Sequence, residues 1–171
     1  MISGLIHSAT KKLIAKTGTR NPFRIAKEIG VHVFYRNDFV RLKGMYKVIL
    51  RNRFIFVNAN LDEFEQRVVC AHELGHDALH RELSDSGSTL FETSLYDVKN
   101  RIEYEANIFA ADILIDDDEV VGLVEDGFDE SGVASSLGVS VDLLLIKVGE
   151  MNRRGYDFAL SRAGRGDFLR K

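Results

Sequence analysis

Cysteine and proline each occur once in this chain of 171 residues, and neither cationic side chains nor long apolar runs are in excess. Each scarcity closes off a class of protein. With Cys70 alone, no intramolecular disulfide and no cysteine-rich zinc cluster can form, so any metal must be held through nitrogen and oxygen. The 23 Lys and Arg against 26 Asp and Glu give a formal net charge of -3, and nucleic-acid binding usually shows as a basic face. Direct nucleic-acid binding is therefore not expected. No segment reaches the roughly 18 consecutive apolar residues of a membrane span. The N-terminus, MISGLIHSATKKLIAK, lacks the apolar core and cleavage site of a signal peptide. The expectation is a cytoplasmic protein with no membrane partner.

What is present is ordinary globular composition, 45% hydrophobic and 29% charged, enough for one compact core. Residues 3 to 16 place Leu5, Ile6, Ala9, Leu13 and Ile14 at helical spacing, with Thr17-Gly18 as the stop. Asn21-Pro22 reads as an N-cap followed by the lone proline at the first helical position, where its missing N–H costs nothing. VHVFY, 31 to 35, is strand-like. GMYKVIL and FIFVN, on either side of Arg51-Asn52-Arg53, predict a β-hairpin with a polar turn. A helix capped by Asp62, with Glu65 three residues on as its reciprocal partner, should run to about Leu83. SDSGST, 84 to 89, reads as a loop extending through FETSLYD.

Residues 98 to 115 carry the spacing of a buried helix, and the acidic run Asp116, Asp117, Asp118, Glu119 reads as the solvated start of another. Two short helices should follow, joined at Leu137-Gly138-Val139 with Ser140 capping the second. That second helix is dominated by Val141, Leu143, Leu144, Leu145, Ile146 and Val148, with Lys147 the only cation before Arg153 and Arg154. The tail from Leu160 is polar and expected to be mobile.

The stretch VVCAHELGHDALH carries the chemistry. Positions four apart on a helix lie one turn above each other, so His72 and His76 can converge on one metal ion. Glu73 stands about 100° round from His72, placed to reach water without binding the metal. Both histidines lie on the line Val69, His72, His76, Leu79, Leu83, which faces inward and calls for partners. His80 continues the series, but three such positions along a straight helix spread over about 12 Å, too far to grip one ion. It is read as lying behind the ligands or on the surface. A catalytic zinc normally takes three protein ligands, and RIEYEANIFAADIL offers two carboxylates, Glu103 and Glu105. Glu103 is favoured because Asn107 stands one turn later, able to bond a ligating imidazole.

VNANL, QRVVCAHELGH and EYEANIFAADIL together resemble the ImmA/IrrE family of metallo-endopeptidases over roughly residues 20 to 118. The resemblance implies an α+β fold: a mainly helical, zincin-like (gluzincin-like) domain with a small antiparallel β-sheet, the hairpin, ahead of the HExxH helix. It implies Zn2+ as cofactor, with His72, His76 and Glu103 as metal ligands, Glu73 as general base and Asn107 just downstream of the ligand carboxylate. It also implies a protein substrate, typically a helix-turn-helix transcriptional repressor encoded nearby on a mobile genetic element. The expected organisation is a metallopeptidase domain over 1–126 and a small helical region with its tail over 127–171. The family's second motif commonly closes in Leu-Leu-Met-Pro, whereas Ile113, Leu114, Ile115 and Asp116 stand here, without the proline stop.

On this reading zinc polarises the scissile carbonyl and activates water, while Glu73 takes the water's proton and passes it to the leaving amine. Tyr46, Tyr96, Tyr104, His80 and Arg53 are candidates to steady the oxyanion. The substrate is expected to add as a strand along Phe54 to Asn58, taken as a sheet edge. Two alternatives accompany this: a regulator reading DNA or binding a repressor through a helix-turn-helix at 128–155, and a metal-bearing binding module without protease activity. The apolar second helix favours packing or partner binding over base reading.

Overall fold

The structure is a computed structural model that describes residues 2–82, 90–92 and 101–159. The expectations for the loop at 84–89, for Leu83, for Tyr96, for residues 98–100 and for the tail from 160 lie outside those residues. Helix α1 (Ile2–Thr17) stops where Gly18 turns to φ 66°. Asn21 caps α2 (Pro22–Glu28), its side chain accepting from the Phe23 and Arg24 amides. Strand β1 (Val31–Arg36) follows, then β2 (Gly44–Ile49) and β3 (Asn52–Asn58).

The hairpin forms, but its turn sits earlier than expected. Ile49 pairs with Asn52, so Leu50 and Arg51 are the loop, at φ 50° and 64°. Two left-handed residues are what a two-residue turn needs to match the strand twist. Arg53 is thereby kept on the strand, where its side chain is used.

The sheet is mixed, not antiparallel. Its order is β1-β3-β2, with the short β4 (Leu90–Glu92) added beside β2. β2 and β3 are antiparallel, yet β1 runs parallel to β3 from Val31↔Arg53 to Arg36↔Asn58. The cause is the loop over residues 37–43, which carries the chain across the end of β3. Asn58 holds it there, its Nδ2 donating to the carbonyls of Phe39 and Leu42 at 3.2 and 2.9 Å. Two expectations fall with this arrangement: β3 is an interior strand between β1 and β2, so Phe54 to Asn58 is not an edge, and the chain at 90–92 is strand, not loop.

Helix α3 (Glu63–Leu79) begins at Asp62, whose carboxylate accepts from the Glu65 amide at 2.7 Å. Glu65 does not return the bond; its carboxylate accepts from Lys43 at 2.8 Å. The helix ends at Leu79 with His80 as C-cap, short of the expected Leu83. α4 (Arg101–Leu114), α5 (Asp117–Glu125), α6 (Glu130–Leu137) and α7 (Val141–Arg153) complete an α+β architecture of seven helices among the described residues. None of these is by itself long and apolar enough to cross a membrane.

α3 is the central element, with β2 and β3 against one side and α4 against another. Every residue from Val68 to Asp77 is buried, where the sequence pattern implied one inward face. α4 ends without a proline because the Arg20 guanidinium donates to the carbonyls of Asp112 and Ile113 at 2.9 and 3.2 Å and pairs with Asp116. Asp116 then caps α5. Asp117 is not solvated as expected: it pairs with Lys147 at 2.5 Å and Arg154 at 2.7 Å, both on the α7 side. Gly138, left-handed at φ 60°, and Ser140 form the junction of α6 and α7. α7 packs on α4 and buries Leu143, Leu144, Val148 and Met151.

Candidate metal centre

Helix α3 supplies two imidazoles one turn apart, and α4 crosses it closely enough to add a carboxylate. That closeness depends on Gly75. A Cβ there would stand 3.0 Å from the Ala106 Cα and 3.2 Å from the Ala106 carbonyl oxygen, so a larger residue would push α4 away. Gly44 does the same on the sheet side, where a Cβ would run into the Val69 side chain and lie 2.8 Å from Glu73 Oε1. The role of these two glycines has no signature in the sequence beyond the letter itself.

His72 Nε2 and His76 Nε2 lie 3.1 Å apart, and Glu103 Oε2 lies 3.2 Å from the first and 3.5 Å from the second. A tetrahedral ion with ligands at about 2.0 to 2.1 Å requires donors separated by about 3.3 Å. The triangle therefore fits one such ion. Its chemistry fits as well. His72 Nδ1 is 2.8 Å from Asn107 Oδ1, which puts the proton on Nδ1 and leaves the Nε2 lone pair facing the centre. Burial pushes the His76 imidazole down to about 4, with the hydrogen bond to Glu103 opposing it, so the ring is neutral at neutral pH. Two nitrogen lone pairs and a carboxylate oxygen thus meet in a buried place, a donor set suited to zinc or another borderline transition ion.

Glu105 points elsewhere. It accepts from Arg101 at 2.6 Å and lies 3.0 Å from His80 Nε2; burial would raise its carboxyl, but Arg101 and His80 hold it below the usual range. His80 is buried beside His76. Glu73 is fully buried on α3, against Gly44. Of the described oxyanion candidates, Tyr46 and Arg53 are bonded to Asp77 at 2.7 and 2.8 Å, and Tyr104 to Glu150 at 3.1 Å. Burial, then the bond to Asp77, pushes the Tyr46 phenol well above its ordinary range. Asp77, which sequence reading passed over, locks α3 to the sheet through Tyr46 and Arg53. The sequence carries no local signal for it, because its partners Tyr46 and Arg53 stand 31 and 24 residues earlier.

With the geometry in place, comparison with known proteins decides the family. The model of the IrrE N-terminal-like domain, peptidase family M78, matches residues 23–148. The chain belongs to this family. This M78 protein is 36% identical over 145 residues to "Uncharacterized immunity region protein 2" of Bacillus phage phi105, covering 84% of this chain and 89% of that one. It is 26% identical over 169 residues to "Metallopeptidase ImmA" of Bacillus subtilis (strain 168), covering 94% and 95%. It is thus an M78 metallopeptidase with a candidate His-His-Glu metal site.

Proposed function

We propose that this M78 protein is a zinc-dependent endopeptidase acting in the cytoplasm on a protein substrate, a helix-turn-helix transcriptional repressor. The observation that carries the hydrolytic reading is the convergence of His72 Nε2, His76 Nε2 and Glu103 Oε2 within 3.1 to 3.5 Å. The choice of a repressor is supported by the phage immunity region protein among the relatives. When bound, zinc supplies Lewis acidity toward the scissile carbonyl and toward water. His72 and His76, each presenting Nε2 with its Nδ1 engaged by a neighbouring side chain, and Glu103 would hold it. Glu73, one residue after a ligand, takes a proton from the attacking water as the C–O bond forms, and returns it to the amine nitrogen as the C–N bond breaks. Its full burial holds the carboxylate away from bulk solvent and fixed on α3.

Glu73→Gln separates binding from chemistry. Incubated with a candidate helix-turn-helix repressor that the unaltered chain cleaves, the variant should keep its fold and its metal while cleavage falls by roughly 10²-fold or more. Full proteolysis by Glu73→Gln overturns this mechanism. For α6 and α7, which cross at 104°, we favour packing over base reading, because the apolar residues of α7 are turned into the core. Titration with specific and random duplexes should give no tight, sequence-selective complex; a nanomolar complex lost on deleting residues 128 to 155 reverses that assignment.

A further inference from the structure

We propose that His80 and Glu105, with Arg101 behind them, form a positioning relay that fixes His76 as a metal ligand through Nε2. The inference rests on the metal-binding reading above and adds to it three residues outside the ligand set. The contacts are continuous. His76 Nδ1 lies 3.3 Å from His80 Nδ1, His80 Nε2 lies 3.0 Å from Glu105 Oε2, and Arg101 Nε donates to Glu105 Oε1 at 2.6 Å.

Two facing ring nitrogens can share only one proton, so one must donate and the other accept. Glu105 decides which. A carboxylate held by a guanidinium accepts, so His80 carries its proton on Nε2 and presents a bare Nδ1 to His76. His76 must then carry its own proton on Nδ1, and its Nε2 lone pair is left facing His72 Nε2 and Glu103 Oε2. The ring cannot take the other tautomer without setting two lone pairs against each other. Because His76 is 1% and His80 7% exposed, water does not substitute for the lost partner.

His72 is served by a shorter version of the same device, the bond from Nδ1 to Asn107. One ligand thus leans on a neutral amide and the other on a histidine, a carboxylate and an arginine. The spacing provides for this: His80 is the C-cap of α3, one turn beyond His76, and its ring centroid stands 5.5 Å from that of His76. The three histidines spaced at four are therefore two ligands and a support.

Removing the partner behind a ligating imidazole typically weakens metal binding about 10- to 100-fold. The test is titration of the full chain with Zn2+ against a chromogenic chelator. The unaltered chain should take one equivalent. His80→Ala and Glu105→Ala should each bind about 10- to 100-fold more weakly, while His80→Gln, whose amide oxygen can accept from His76 Nδ1, should recover most of the loss. Metal-free melting temperatures of the variants, which report any merely structural role, should stay near that of the unaltered chain. Long-range proton–nitrogen spectra of the Zn2+-loaded chain should show His76 protonated on Nδ1 and His80 on Nε2. If His80→Ala does not fold, Glu105→Ala carries the test, its side chain lying 15% exposed at the margin of the site. Zn2+ affinity within twofold of the unaltered chain in the folded alanine variants, or a proton on His80 Nδ1, overturns the relay alone. Failure of the unaltered chain to take up Zn2+ instead overturns the metal-binding reading, and the relay with it.

Discussion

Among the described residues, two places gather histidine and carboxylate atoms closely enough to hold a cation: His72, His76 and Glu103 between α3 and α4, and His7, Asp112 and Asp117 where α1, α4, α5 and α7 meet. By spacing alone they are alike. By charge they are opposites. At the second, the Lys147 ammonium stands 2.6 Å from Asp112 and 2.5 Å from Asp117, Arg154 adds a contact of 2.7 Å to Asp117, and His7 lies 3.0 Å from Asp112. Two carboxylates there meet two permanent cations, and the cluster is balanced by the chain itself. At the first, the three converging atoms are two imidazole nitrogens and a carboxylate oxygen, all of them donors to a metal. The lesson is that which cations a cluster already holds, more than how close its acids and histidines lie, separates a binding site from a structural tie.

The sharpest way to break this contrast is an exchange of amides. Glu103→Gln removes one of three ligands, and if each carries about a third of the roughly 10 to 16 kcal/mol of zinc binding, affinity should fall by on the order of 10³-fold. Asp112→Asn should leave zinc stoichiometry at that of the unaltered chain. A zinc loss in Asp112→Asn with the fold intact would reverse the two assignments.

The next effect is on stability. Lys147 has only 2% of its side chain exposed and faces both Asp112 and Asp117, so Lys147→Ala withdraws the shared cation from two carboxylates, a loss of about 3 kcal/mol, whereas Asp112→Asn should cost less because Asp117 still holds Lys147. Lys147→Met combined with neutralised partners should recover part of it. Chemical denaturation of the metal-free chain measures both.

Smaller again is the cost of crowding the metal centre from the sheet side. Gly44→Ala should destabilise by about 1 to 3 kcal/mol through overpacking and should depress cleavage more than zinc binding, since the added carbon meets Glu73 and Val69 while the ligands lie beyond them. Equal losses in both would mean that Gly44 acts on the whole helix.

Acid should act on the second cluster. Burial alone would raise the Asp117 carboxyl, but Lys147 and Arg154 outweigh it and hold it below its usual value. A folded pKa below the unfolded value of about 3.9 means that the unfolded chain binds more protons there. The contribution is therefore present above about pH 4 and lost as pH falls further. Melting temperatures followed from neutral pH to about pH 3 should show an acid limb that Asp117→Asn flattens. The smallest effect is expected at Cys70, fully buried with its thiol pushed far up by burial, then by Glu73. Cys70→Ala should cost about 1 kcal/mol, from a small cavity, with zinc content unchanged.

Local signals were legible and distant ones were not. The caps at Asn21, Asp62 and Ser140, the turn at Gly138, the hairpin and the paired histidines of α3 each depend on residues a few positions apart, and the sequence shows them directly. Glu103 could be preferred over Glu105 because Asn107 stands one turn along, and Asn107 indeed bonds His72. The parallel pairing of β1 with β3 is not local: it depends on a loop tied down by Asn58, about 20 residues beyond the strand it redirects. Lys147 looked like a stray cation in an apolar helix, because its partners lie 30 and 35 residues earlier. Asp117 looked solvated for the same reason. An ionic residue's burial is set by what other segments bring to it.

Gly44, on the strand against α3, and Gly75, on the face of α3 that meets α4, have a consequence for how this sequence can change. A single added methyl at either would meet backbone or the buried Glu73, whereas at Gly122 and Gly149, both in helices, it would meet nothing within 4 Å. Alanine at the last two should improve their helices by about 0.5 to 1 kcal/mol each. Substitution should therefore accumulate freely at one pair of glycines and be purged at the other, so that a catalogue of tolerated variants would trace the outline of α3's two close contacts without any structure at all.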